Sequence, residues 1–322
     1  MILSKIYASL KSISSYVPKD IMSNHDLAKL VDTNDEWIVQ RTGIKERRIA
    51  KDEQNIDMAY KASLKAIERA NLQPSQIDAV ICATLSPDYF YMPSTACVLA
   101  DRLGIKNQTA FDIVAACSGF LYLLDIAKSM IESGAKKNIL IVGSEKVSSV
   151  LNYEDRGTCI LFGDGAGASI ISATDKKEEG IIDVQTGSDG NYKDILFTPL
   201  EKDHCFLNMK GNEVFKFAVR KLCQDAISIL EKNNITSNEI DFFIPHQANL
   251  RIINAVKEQL QLPEEKVITV IEKYGNTSAA SVPMAMNDAF ESGKLKKGNL
   301  MLLNAVGGGF AWGSSLVYFN QD

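Results

Sequence analysis

The chain has 322 residues, 46% of them hydrophobic and 23% charged, with a formal net charge of −5. That length can bury two cores and that balance is ordinary for a folded globular protein, which excludes a disordered chain; the acidic sum argues against general nucleic-acid binding but leaves room for a local basic patch facing an acidic protein. No window approaches 18 apolar residues, and Lys5 and Lys11 interrupt any apolar run at the amino end, so neither a membrane span nor a signal peptide is expected and the chain reads as cytoplasmic.

In chain order, an amphipathic helical stretch from Met58 to Ala70 leads to the apolar run Val80-Ile81. Phe111-Asp-Ile-Val-Ala-Ala-Cys-Ser-Gly-Phe passes from a strand-like run into a helical pattern reaching Glu132, and the apolar strand Ile139 to Val142 follows. After the polar stretch Ala173-Thr-Asp-Lys-Lys-Glu-Glu-Gly the pattern repeats: a helix from Val219 to Asn233, a short buried strand in Asp241-Phe-Phe-Ile-Pro and a helix from Leu250 to Leu260. The turn Gly275-Asn276 then feeds another small-residue helix start, and the strand Leu300 to Leu303 precedes a glycine run at 307 to 309. Helix then apolar strand, repeated, is an α/β pattern, and strands without polar alternation belong to sheets covered on both faces.

The chain also matches itself. Asn71 to Asp78 resembles Asn234 to Asp241 at an offset of 163, and Glu132-Ser-Gly before a strand resembles Glu291-Ser-Gly before another at an offset of 159. Applied to Cys117, the second offset falls on Asn276, so an internal duplication would give the two residues equivalent helix-entry positions. The division is expected to leave residues 1–172 in one half and 173–322 in the other.

Three segments carry chemistry. Cys117 stands where a helix begins, and unpaired N–H groups with the helix macrodipole favour an anion there, so a lowered thiol pKa is expected. His246 stands just past a buried strand, and Asn276 offers an amide at a Gly-Asn turn; each alone is more often structural, but together they supply a thiol, an imidazole and an amide at chain ends where sites are built. The six cysteines (82, 97, 117, 159, 205 and 223) lack metal-type spacing and are expected as free thiols, and three histidines (25, 204 and 246) exclude a histidine-rich metal site, so no metal is expected. Neither Gly307-Gly-Gly-Phe-Ala-Trp nor Phe162-Gly-Asp-Gly-Ala-Gly has the spacing of a dinucleotide loop.

Ala115-Ala-Cys-Ser-Gly-Phe, Pro245-His-Gln-Ala-Asn-Leu-Arg, Gly275-Asn-Thr-Ser-Ala-Ala-Ser-Val-Pro and Gly307-Gly-Gly-Phe-Ala-Trp-Gly-Ser resemble the β-ketoacyl-acyl carrier protein synthase III family. Asp35 to Ile44, Asp155 to Thr158, Phe162 to Ala168 and Lys210 to Lys216 extend the resemblance, in order, over nearly the whole chain. It implies a thiolase-type five-layer αβαβα fold from two duplicated halves, and the condensation of acetyl-coenzyme A with malonyl-acyl carrier protein to acetoacetyl-acyl carrier protein. By the same resemblance Cys117 is the nucleophile, His246 and Asn276 bind an enolate oxygen, and the backbone N–H groups of Cys117 and Gly309 form an oxyanion hole. Trp37 and Arg156 are expected on the adenine of coenzyme A, Arg41 near its phosphates and Asn249 near its pantetheine arm. Gln247, Arg251 and Lys216 are expected to meet the acyl carrier protein, with Arg220 and Lys221 nearby.

The family implies a homodimer and no cofactor beyond its thioester substrates. Met92 stands where straight-chain-selective relatives often carry Phe closing the primer pocket across the dimer, which leaves room for a primer longer than acetyl. Glu258 and Gln259 replace basic residues of some relatives on the carrier-protein side, and Ser12-Ile-Ser replaces a Gly-x-Gly near the amino end. A specialised condensing relative is the runner-up reading. Hydroxymethylglutaryl-coenzyme A synthase, thiolase, a thioesterase and an inactive scaffold fit the blocks less well.

Overall fold

A computed structural model describes residues 5–199 and 205–322. His204 lies outside the described residues. The first sheet is built from β1 (Tyr7–Tyr16), β2 (Ala79–Ala83), β3 (Thr109–Ile113), β4 (Asn138–Lys146) and β5 (Asp164–Thr174), in the order β1-β5-β4-β2-β3. The second is built from β6 (Ile181–Ser188), β7 (Phe242–Pro245), β8 (Leu300–Gly307) and β9 (Ala311–Tyr318), in the order β7-β8-β9-β6.

The two sheets repeat one plan. In the first, β1 and β4 flank β5 antiparallel while β2 runs parallel to β4; in the second, β6 and β8 flank β9 antiparallel while β7 runs parallel to β8. A fifth strand is reduced to one parallel bridge from Phe243 to Val267.

Seven helices of eight residues or more surround the sheets among the described residues: α1 (Asp35–Thr42), α2 (Asn55–Arg69), α3 (Thr95–Arg102), α4 (Gly119–Glu132), α5 (Gly211–Lys232), α6 (Leu250–Gln259) and α7 (Ser281–Glu291). Helices α2 and α3 cover the outside of the first sheet and α5 with α6 the outside of the second, while α4 and α7 lie between them. This is the five-layer αβαβα fold. Layering explains the sequence: β8 is buried at every position because helices cover both of its faces, and α4 buries Gly119, Phe120, Leu121, Leu123, Leu124, Ala127 and Ile131 in the middle layer.

Three expectations shift. The division at 172/173 falls within the last residues of β5, and the polar stretch 175–180 follows that strand. Helix α5 begins at Gly211, a full two turns before Val219: Gly211, Asn212 and Glu213 are exposed and carry no apolar period, while Phe217 and Ala218 already face the core. The third concerns the offset. Short 3-10 turns at Ala116–Ser118 and Ser278–Ala280 lead directly into α4 and α7, so the helix starts are related by 162 residues (116 to 278, 119 to 281). Cys117 therefore corresponds to Ala279 rather than Asn276, because α7 is 11 residues long against 14 for α4, and an offset read at the helix ends is too small by that difference.

Candidate active site

The entry turns of the two central helices pack against each other, the turn at Cys117 also against β8 and the turn at Ser278 against β4. Each turn bends through a non-glycine residue with positive φ, Ala116 (+45°) and Ser278 (+49°). Such residues are uncommon and concentrate where surroundings fix the backbone for a purpose. The bend at Ala116 sets Cys117 at the floor of a cavity of about 310 Å³ that is also lined by His246 and Asn276.

His246 follows β7, its N–H donating to Asn304 O at 2.8 Å. Its Nδ1 lies 2.5 Å from Ser281 Oγ, and Ser281 Oγ accepts from Gln247 N at 3.4 Å. The Ser281 hydroxyl has no other acceptor among the described residues, so its proton is assigned to Nδ1 and the ring proton to Nε2, which has no partner among the described residues. Burial lowers the His246 pKa to about 3, so the ring is neutral at physiological pH and Nε2–H is a donor. Asn276 Oδ1 accepts from Ser278 N at 2.9 Å, which fixes the amide and leaves Nδ2–H as the second donor.

The thiol differs from expectation. Burial pushes Cys117 up to about 12; the Ser278 hydroxyl lowers it and the Glu145 carboxylate raises it further. Cys117 is 6% exposed, and loss of hydration outweighs the helix start that favours a thiolate. The resting nucleophile is a thiol, and a proton must leave it before attack.

Gly307 ends β8 directly against this turn. A Cβ there would lie 2.5 Å from Cys117 N and 3.0 Å from the Ala116 side chain. Gly307→Ala is expected to displace the nucleophile's backbone, lowering stability by about 1–3 kcal/mol and slowing acylation; a thermal melt and an acylation rate at the wild-type level would show that the turn tolerates it. Gly309 has φ +135°, a backbone open to glycine alone, and its amide as an oxyanion donor stays a proposal.

Asn34 caps α1 by accepting from Trp37 N, and this helix presents Trp37 and Arg41 at the cavity mouth. Arg41 and Arg156 both lie over the Trp37 ring, with guanidinium carbons 4.7 and 4.8 Å from its centroid. Arg156 thus stacks on the indole itself, and a base between them requires Arg156 to swing aside; it is exposed and held by the Asp32 carbonyl at 2.9 Å. Asn249 lines the cavity, but its Oδ1 caps α6 through Arg251 N at 2.9 Å and its Nδ2 donates to Arg41 O at 3.0 Å, tying the two walls together. The inner walls are apolar, with Leu196, Met209, Phe215, Ile252 and Val306 among them.

Arg251 is exposed at the cavity, over the Phe215 ring at 5.1 Å, and Lys216 is exposed on α5 next to Phe215 in the chain. Gln247 is not part of that surface. It is 1% exposed, and its amide joins Pro245 O (2.7 Å), Ile268 O (3.2 Å) and Val270 N (2.9 Å), so a buried fastener stands where a docking residue was expected. Met92 lies away from the cavity, 80% exposed. Sequence reading missed Ser281, Ser278 and Glu145, which surround the reactive groups; the hydroxyl-rich Thr277-Ser-Ala-Ala-Ser run and a lone acid at the buried end of β4 were the available signals. All six cysteines are unpaired, and among the described residues no cluster of His, Cys, Asp and Glu is arranged to hold a metal. No helix of the described residues is long and apolar enough to cross a membrane.

A thiol facing two fixed donors, at the meeting point of paired central helices, can hold an acyl group and stabilise an enolate beside it, which is the work of acyltransferring condensing enzymes of the thiolase superfamily. Residues 111–190 match the 3-oxoacyl-[acyl-carrier-protein] synthase III family, and residues 230–319 match its C-terminal region. The chain is 62% identical over 321 residues to a β-ketoacyl-[acyl-carrier-protein] synthase III of Campylobacter jejuni, covering 98% of each. Its fold is similar to the crystal structure of 3-oxoacyl-[acyl-carrier-protein] synthase III from Aquifex aeolicus, with TM-score 0.94 and 46% identity over 97% of this chain and 100% of that one. The priming β-ketosynthase of the R1128 polyketide pathway is similar at TM-score 0.94 and 33% identity, over 100% of this chain and 98% of that one. The chain belongs to the 3-oxoacyl-[acyl-carrier-protein] synthase III family.

Proposed function

We propose that the protein condenses acetyl-coenzyme A with malonyl-acyl carrier protein, releasing coenzyme A and carbon dioxide and forming acetoacetyl-acyl carrier protein, the first elongation of type II fatty acid synthesis. The observation that carries this reading is the meeting of Cys117, His246 and Asn276 at the floor of one cavity, with the two side-chain donors held by their other ends.

Cys117 sulfur attacks the acetyl thioester carbon, a tetrahedral oxyanion forms, and its collapse expels the thiolate of coenzyme A, leaving acetyl on the enzyme. The Cys117 N–H, beside Gly307 and assisted by Gly309, is the oxyanion donor. Malonyl-acyl carrier protein then enters. Its C–C bond to the carboxylate breaks, carbon dioxide leaves, and the electron pair forms a thioester enolate whose oxygen accepts from His246 Nε2–H and Asn276 Nδ2–H. The enolate carbon attacks the acetyl carbonyl, and collapse expels the Cys117 thiolate. Backbone N–H groups and the two side-chain donors supply the charge stabilisation, so the proposed chemistry calls for neither metal nor organic cofactor.

Trp37, Arg156 and Arg41 form the coenzyme A end of the cavity, an indole and two guanidinium groups suiting a base and its phosphates. Trp37→Ala is expected to raise KM for acetyl-coenzyme A about tenfold with kcat retained, the signature of binding lost equally from ground and transition states; a fall in kcat at unchanged KM would remove Trp37 from this role. Arg251 and Lys216 are the proposed contacts for an acidic carrier protein. Exposed Tyr89 (50%), Phe90 (64%), Tyr91 (77%) and Met92 (80%) support a homodimer that covers this apolar loop and brings Met92 to the partner's primer pocket, in the cytoplasm.

The second reading, a relative using longer primers, is supported by the flexible Met92 side chain. Turnover of malonyl-acyl carrier protein with acetyl-, branched and longer acyl-coenzyme A decides between the two. Fastest product formation from acetyl supports initiation, and turnover by longer primers alone supports the relative.

A further inference from the structure

Glu145, near the end of β4, is fully buried, and the reaction just described does not use it. Its Oε2 accepts from Ser86 Oγ (2.7 Å), Leu85 N (3.0 Å) and Thr84 Oγ1 (3.2 Å). Its Oε1 has no aligned hydrogen-bond partner among the described residues, and neither does Ser278 Oγ, which is also fully buried. Ser278 is the residue at φ +49° in the entry turn of α7, which packs against both the turn that holds Cys117 and the strand β4 that holds Glu145, and its hydroxyl acts on both the thiol and the carboxyl. Two buried oxygens without aligned bonds are costly, and such exceptions need a reason. A nucleophile that must lose a proton lies next to them.

We propose that Glu145 receives the Cys117 proton through the Ser278 hydroxyl, with Ser278 as the relay that touches the reacting sulfur and Glu145 as the group acting through it. The inference rests on the condensing reaction above. As the Cys117 S–H bond breaks, its proton forms a new O–H on Ser278 while the Ser278 proton passes to Glu145 Oε1. The sulfur electron pair forms the bond to the acetyl carbon; the bond to coenzyme A breaks, and that thiolate takes a proton from solvent. When condensation expels the Cys117 thiolate, the proton returns from Glu145 by the same route.

Two features support the assignment. His246, the other base near the thiol, is held at a pKa of about 3 by burial and is a poor acceptor. Burial lifts Glu145 to about 7, against the pull of Ser86, Leu85, Ser278 and Ala279, so it is a base matched to neutral pH. Hydroxyls and amides from residues 84–86 and 278–279 surround it, and Cys117 in the facing turn is the titratable group on which its charge acts.

The test measures Cys117 alkylation by iodoacetamide and acetylation by acetyl-coenzyme A from pH 5 to 9, for wild type, Glu145→Gln, Ser278→Ala and the double variant. Wild-type rates should rise as Glu145 deprotonates through about pH 7. Each single variant should lose this limb and slow by on the order of 10²-fold, with the double variant no slower than either, as for residues working as a unit. Unchanged rates and pH profiles, or losses that multiply in the double variant, overturn the relay. If Glu145→Gln fails to fold, Ser278→Ala decides by the same criteria. Alkylation needs no acyl donor, so a wild type that is alkylated but never acetylated sinks the proposed reaction while the relay is still judged.

Discussion

Cys117→Ala is expected to form no acyl-enzyme with acetyl-coenzyme A and to lose condensation by on the order of 10⁴-fold or more, because the two-step route disappears with its nucleophile. Stability should change little. The side chain is small and loses only its sulfur, and the replacement has the same compatibility with the 3-10 turn Ala116–Ser118. The donors His246 and Asn276 remain, so the variant should still release carbon dioxide slowly from malonyl-acyl carrier protein. Intact mass and a carbon dioxide assay read the two effects separately. An acyl adduct of unchanged stoichiometry on the variant would remove Cys117 from the reaction.

His246→Ala is expected to acetylate Cys117 at close to the wild-type rate and then to stall, with condensation reduced by on the order of 10²–10³-fold, the usual cost of removing one donor to a developing oxyanion. Its pH dependence follows from burial. With a pKa lowered to about 3, His246 is neutral throughout pH 5 to 8, so discharge of pre-acetylated wild-type enzyme by malonyl-acyl carrier protein should show no acid limb from this residue in that range. The sign for stability is the opposite of a salt-bridged histidine. The unfolded chain protonates His246 near pH 6.5 and the folded one does not, so its contribution to stability falls as pH drops from there toward 3. Single-turnover measurements with pre-acetylated enzyme separate the steps; loss of acetylation with discharge intact would reverse the roles of His246 and Cys117's other neighbours.

Much of this arrangement is legible in the sequence because the reactive residues stand at element ends, where hydrophobic periodicity stops. Phe242 to Pro245 reads as a buried strand, and His246 follows from its end; the helical pattern to Glu132 likewise locates Cys117 at a helix entry. What the sequence does not carry is the environment of those residues. The helix start at Cys117 favours a thiolate, but the closing of β8 and the turn at Ser278 over the sulfur removes water from it, and that long-range packing reverses the expectation. Gln247 is expected at a docking surface, yet its amide fastens Pro245 of its own segment to Ile268 and Val270 of another. Glu145 lies beyond the apolar run Ile139 to Val142 and draws no notice in the sequence; only the fold shows that this strand packs against the entry turn of a helix 133 residues away, at Ser278. The self-match at offset 159 located the duplication but misaligned its helix entries, because helix length, unlike the turn that starts it, is free to differ between the copies.

The most direct measurement is a peptide mass map of the protein after brief exposure to acetyl-coenzyme A, repeated after adding malonyl-acyl carrier protein. One acetyl group on the peptide containing Cys117, lost in step with the appearance of acetoacetyl-acyl carrier protein, is the expected result. An unmodified Cys117 peptide during turnover, or an acetyl group released as free acetate without a new carbon–carbon bond, would contradict it.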